Sequence, residues 1–150
     1  MELSDVIVIN APRAEVFAAL NDPEILRHCI PGCEELIMLS PTELEAKVVL
    51  KVGPVKARFS GTVRLDLTGG PDAMSLTGEG NGGTAGFAKG RADVTLVEAE
   101  GSTTLSYLAK AEIGGKLAQL GSRLMQSTAR KLSVAFFEKF AATFEAETAA

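Results

Sequence analysis

The sequence has no tryptophan, one tyrosine, one histidine and two cysteines. Each shortage excludes something. Aromatic residues make up 5% of the chain, so the base stacking that holds single-stranded nucleic acid has little to work with. Lys and Arg number 15 against 19 Asp and Glu, a net charge of −4, whereas phosphate contacts demand a cationic surplus. Nucleic acid is therefore not an expected partner. Nucleophilic catalysis of the Ser–His–Asp type would have to use His28, and no G-x-S-x-G elbow is present. No apolar run is long enough to span a bilayer, and the opening MELSDVIVIN carries acids where a signal peptide carries bases. Few cysteines and no export signal lead to the expectation of a reducing, cytoplasmic location.

Glycine, by contrast, is abundant at 15 residues, and 46% of the chain is hydrophobic. The 150 residues are read as one domain, 1–150, long enough to bury roughly two-thirds of its unfolded surface. LSDVIVI opens as a strand. Asn10-Ala11-Pro12 then starts a helix, with Asn10 the expected N-cap, and Asp22-Pro23 starts a second short helix that Pro31-Gly32 ends. From Glu43 the pattern alternates: Leu44, Ala46, Val48, Leu50 and Val52 point one way and Glu45, Lys47 and Lys51 the other. Similar alternation runs through KARFSGTVRLDL, MSLTGEGNG, FAKGRADVTL and TLSYLAKAEI, each bounded by turn residues. One wet face and one buried face mean an antiparallel sheet. After Gly114-Gly115 the period changes, and Leu117, Leu120, Leu124, Leu132, Phe136, Phe140 and Phe144 mark one long amphipathic helix. That helix has only the concave face of the sheet on which to bury its stripe.

The later strands turn small residues inward: Gly78, Gly80, Gly82, Ala88, Gly90, Ala92, Ala109 and Ala111. Interiors pack densely, so the missing volume must be filled. Either the long helix approaches closely there, at Ala118 and Gly121, or an apolar ligand occupies the space. Tyr107 also points inward, where its hydroxyl meets a ligand atom or a backbone carbonyl.

Other motifs weaken on inspection. GEGNGG spells G-x-G-x-x-G, but a dinucleotide loop opens a helix, and here FAKGRADVTL continues as a strand. HCIPGC gathers the histidine and both cysteines, yet a structural zinc wants four ligands and no second pair exists. It reads as a turn with the cysteines as small apolar fillers. Lys116, Arg123, Arg130 and Lys131 form a basic stripe on the long helix, read as a solvated face.

ALNDPEILRHCIPGCEEL, VGPVKARFSGTVRL and GGKLAQLGSRLMQSTARKL closely resemble the G-subunit family of carbon monoxide dehydrogenase, part of the START-related superfamily. The resemblance implies an α+β helix-grip fold: a curved antiparallel sheet of about seven strands around a long C-terminal helix, with two short helices after the first strand. It implies an accessory protein without catalytic residues, metal or intrinsic cofactor, serving a molybdenum-containing dehydrogenase. It also implies a lipophilic guest such as a quinone between sheet and helix, and peripheral contact with the inner face of the cell membrane. Relatives often carry a longer tail ending in an apolar segment; the 150 residues here contain none, so anchoring through such a tail is not expected of them. ALNDP and HCIPGC would form the mouth of the pocket and GGKLAQLGSRL its lid or wall. The expected lining is Phe17, Leu20, Ile25, Ile30, Val48, Phe59, Gly90, Tyr107, Leu117, Leu120 and Leu124. Two other readings stay open at this stage: a small enzyme of the polyketide cyclase or hydratase kind, and an assembly factor whose interior is filled by its own side chains.

Overall fold

The structure, a computed structural model, describes the backbone of residues 1–149 and the side chains of residues 1–145. Strand β1 (Glu2–Ile9) leads into two short helices, α1 (Arg13–Leu20) and α2 (Pro23–Cys29). Six strands follow: β2 (Cys33–Ser40), β3 (Glu43–Val52), β4 (Val55–Asp66), β5 (Ala73–Asn81), β6 (Phe87–Ala99) and β7 (Ser102–Gly114). The chain ends in a four-residue helix α3 (Lys116–Gln119) and a 28-residue helix α4 (Ser122–Ala149). The strands form a seven-stranded antiparallel sheet in the order β1-β7-β6-β5-β4-β3-β2. Strands β2 to β7 are successive hairpins, and β1 joins from the far end of the sequence to pair with β7. That is the helix-grip arrangement expected from the alternation and the resemblance.

Local chemistry explains most boundaries. At the start of α2, the Asp22 carboxylate accepts from Glu24 N at 2.9 Å, and Pro23 fills the first turn, where its missing N–H costs nothing. α1 departs from expectation. Pro12, at φ −61° and ψ 150°, occupies the cap position, and no side chain caps the helix. Asn10 is instead exposed, its Oδ1 3.4 Å from Ser102 Oγ, because Ala11 N closes a tight turn onto Ile9 O.

The single long helix is also corrected. Gly121 takes φ +98°, a left-handed conformation that ends one helix and lets the next start in a new direction. Nothing lies within 4 Å of a Cβ at Gly121, and Ala118 is exposed, so neither serves a close approach of helix to sheet. The break lets Leu117 and Leu120 turn into one end of the sheet while α4 runs on.

Two buried clusters result. The larger joins Ile9, Val16, Ala19, Cys29, Met74, Leu96, Leu105, Phe140 and Phe144. Within it Phe140 stacks on Phe136 at 5.8 Å between ring centroids and meets Phe144 edge-on at 5.3 Å. The smaller joins Val52, Leu117 and Met125, flanked by Val55, Phe59, Ile113, Leu120 and Leu124. One closes each end of the sheet.

Candidate ligand-binding cleft

The strand register sets out the inner face row by row. Tyr107, Val94 and Met74 share a row that belongs to the larger cluster. The next row is Leu3, Ala109, Ala92, Leu76 and Leu65, then Ala111, Gly90, Gly78, Val63 and the buried Leu44, then Ile113, Ala88, Gly80, Gly61 and Ala46. Beyond that, Phe59 and Val48 face each other beside the smaller cluster. Between the two clusters the sheet thus presents a floor made mostly of glycine and alanine.

α4 comes close to β1, β3 and α2 rather than to the central strands. Val48, Val63 and Leu76 on the sheet stay half-exposed, as do Thr128, Ala129, Leu132 and Phe136 on α4. Full contact between two apolar faces would bury both, and these residues are not fully buried.

The expected lining divides between the ends of this cleft. Phe17, Leu20, Ile25 and Tyr107 pack against the larger cluster, and Phe59, Leu120 and Leu124 against the smaller one. Leu117, at 5% exposure, is part of the smaller cluster and closes that end. Ile30 is half-buried where α2 stops, and Val48 and Gly90 lie along the floor. Gly90 also has a backbone reason to be glycine, since a Cβ there would stand 2.6 Å from Lys110 O on the adjacent strand. Thr128, Leu132 and Phe136 were not among the expected residues, although steps of four on α4 place them on one face.

The Tyr107 hydroxyl meets neither a backbone carbonyl nor open space. It hydrogen-bonds Ser133 Oγ at 2.5 Å, joining β7 to α4. Two inward sheet positions are charged: Asp5 on the edge strand β1, and Glu98 at the far end of β6 beyond the larger cluster, where it accepts from Arg13 N at 2.6 Å.

HCIPGC is a corner. Cys29 is fully buried in the larger cluster, and burial raises its thiol pKa above the ordinary value. Cys33 Sγ donates to Glu35 O at 3.5 Å, and partial burial raises its pKa too. His28 is exposed. Among the described residues no group of three or more His, Cys, Asp or Glu is placed to hold a metal ion. Both thiols stay protonated at neutral pH. A disulfide reagent under native conditions is therefore expected to label Cys33 slowly and Cys29 only as fast as the protein opens. Rapid labelling of both would show that the corner is not packed.

A different concavity, a trough of about 620 Å³, lies on the outer face, lined by residues such as Glu35, Lys47, Ser60, Thr62, Asn81 and Phe87. Its walls mix charged and polar side chains with the exposed Ile37 and Phe87, and Lys47 and Glu35 pair there at 3.5 Å. Lys116, Arg123, Arg130 and Lys131 are all exposed on α3 and α4. No helix among the described residues is long and apolar enough to cross a membrane.

Known proteins share this geometry. No curated protein matches the chain. Among solved structures, a conserved protein from Geobacillus kaustophilus is 27% identical, with 97% of this chain and 95% of that one covered and a TM-score of 0.90. A START superfamily protein from Mycobacterium smegmatis is 12% identical over 96% and 97% of the two chains, with a TM-score of 0.75. The Zhui aromatase/cyclase from Streptomyces is 10% identical over 97% and 93%, with a TM-score of 0.70. The last two share the fold, and at such identities nothing more is carried across. The model of one sequence family, the carbon monoxide dehydrogenase G subunit (CoxG), matches residues 6–144, nearly all of the described chain. The chain belongs to the CoxG family of carbon monoxide dehydrogenase.

Proposed function

We propose that this protein is a non-catalytic accessory component of a molybdenum hydroxylase of the carbon monoxide dehydrogenase type. It holds a lipophilic molecule, a quinone in the first instance, in the cleft between sheet and α4, and it links the enzyme to the inner face of the membrane. The observation that carries this reading is the glycine and alanine floor between two packed clusters, with half-exposed apolar residues opposite it.

The walls suit such a guest. Burying apolar surface contributes about 25 cal/mol per Å², so a guest covering roughly 400 Å² gains on the order of 10 kcal/mol before the cost of association. Phe17, Leu20 and Ile25 supply apolar surface at one end and Phe59, Leu120 and Leu124 at the other. General acid–base chemistry requires a titratable group beside the substrate, and the Gly, Ala, Val, Leu and Ile of the floor rows favour holding over reacting.

The test is gentle purification, organic extraction and mass spectrometry, repeated on Gly80→Leu. Gly80 is the better position for filling the cleft, because a Cβ there meets only Ser60 O at 3.8 Å, whereas Gly90 is hemmed in by backbone. The expected result is a near-stoichiometric isoprenoid quinone or other lipid in the parent protein, reduced at least tenfold in the variant at an unchanged melting temperature. A parent protein that is empty and takes up no added quinone would overturn the carrier role.

A further inference from the structure

Beside the small-residue floor, two hydroxyls meet at one point. Tyr107 lies on β7 in the last row of the larger cluster, and the next inward residue on that strand is Ala109, where the small-residue floor begins. Its ring stacks on Phe137 of α4 at 5.3 Å with 23° between planes, which fixes where the hydroxyl points. The partly buried bond to Ser133 Oγ, 2.5 Å long, therefore stands at the border between packed core and open cleft.

Counting hydrogens shows what the pair has left over. Two hydroxyls bring two hydrogens, and their mutual bond uses one. Whichever oxygen accepts keeps its own O–H. A serine inside a helix commonly returns that hydrogen to the carbonyl one turn earlier, as Thr143 does to Lys139 O at 3.0 Å. Ser133 does not; the bond to Tyr107 is its one side-chain hydrogen bond among the described residues. One O–H at the edge of the floor thus has no acceptor among the described residues, in a place where polar groups normally find one.

We infer that Tyr107 and Ser133 together recognise a neutral acceptor, the carbonyl oxygen of a lipophilic guest, by donating the single O–H that their mutual bond leaves free. The inference rests on the cleft's being the ligand site. Other head groups fit less well. A carboxylate or phosphate would find no Lys, Arg or His at an inward sheet position. It would also meet Asp5, which pairs with Tyr107 across β1 and β7 and so shares its face. The Asp5 carboxylate accepts from Val6 N at 2.8 Å and offers no donor. An ammonium group carries donors only, so the spare O–H does not select for it.

The test uses two neutral probes of matched shape, 2-acetylnaphthalene and 2-ethylnaphthalene, which differ in the carbonyl. Binding is measured by calorimetry on the parent protein and on the Tyr107→Phe/Ser133→Ala double variant, which keeps the ring stack. Each single variant leaves one hydroxyl free to donate, so the singles are expected to fall between. The parent should bind the ketone about tenfold more tightly than the hydrocarbon, and the double variant should lose that preference while binding the hydrocarbon unchanged. The infrared carbonyl stretch of the bound ketone should be shifted down in the parent and not in the double variant. Equal affinity for both probes in the parent would overturn the inference, as it would mean that water or nothing satisfies the O–H. A double variant weakened equally for both probes would overturn it too, reducing the pair to packing. Failure of the parent to bind either probe would instead overturn the cleft reading, and the inference with it.

Discussion

Phe140→Ala is expected to lower the melting temperature by roughly 6–20 °C, the largest single loss available on α4. Phe140 is 0% exposed and the largest of the fully buried side chains. Its ring touches Phe136 and Phe144, and it also stands edge-on to Phe137 at 6.3 Å. Removing such a ring takes away its transfer free energy and leaves a cavity that stiff aromatic neighbours cannot collapse into, about 3–5 kcal/mol in all. Val134, on the same helix but 45% exposed, supplies the control, and Val134→Ala should change stability by less than about 0.5 kcal/mol. Thermal unfolding by circular dichroism separates the two. If Phe140→Ala melts within about 2 °C of the parent, the aromatic cluster does not anchor α4.

The second large effect is expected at the corner of HCIPGC. Gly32 has φ +74°, and a Cβ there would stand 2.1 Å from Val49 O. That contact is with backbone on β3, which is held in place by Val49 N bonding to Gly32 O at 2.9 Å. Gly32→Ala must therefore strain φ and push a strand as well, at a cost on the order of 2–4 kcal/mol. Gly101 isolates the first effect, since its φ is +80° and nothing lies within 4 Å of its Cβ position. Gly101→Ala should cost about 1 kcal/mol. Denaturant titration of both variants gives the difference. Equal losses would show that β3 yields freely at this corner.

Much of the fold was legible because it is written in local periods. Strict alternation from Glu43 to Ile113 located strands β3 to β7, and the change of period after Gly115 located the C-terminal helix. What misled was local chemistry with more than one use. Asn10 has the side chain of an N-cap, yet Pro12, with its dihedral already set, took the position. Gly121 sits inside a helical pattern as an interruption usually tolerated at modest cost, but here it adopts a positive φ and ends the helix. The small inward residues of β5, β6 and β7 were legible, and so was the question they raised about volume. The division of the candidate lining between two ends of the cleft was not, because alternation gives the side of a sheet and not what closes it at either end.

The sequence alone determined the antiparallel sheet, the helix that must cover it, the mostly apolar inner face and the small-residue floor, since each follows from residue type at a fixed period. Only the tertiary structure decided that β1 pairs with β7, that α4 makes its main approaches to β1, β3 and α2, and that Tyr107 meets Ser133 26 residues away. Those outcomes depend on how rigid elements settle against one another, and that balance of close packing is not carried by any stretch of chain on its own.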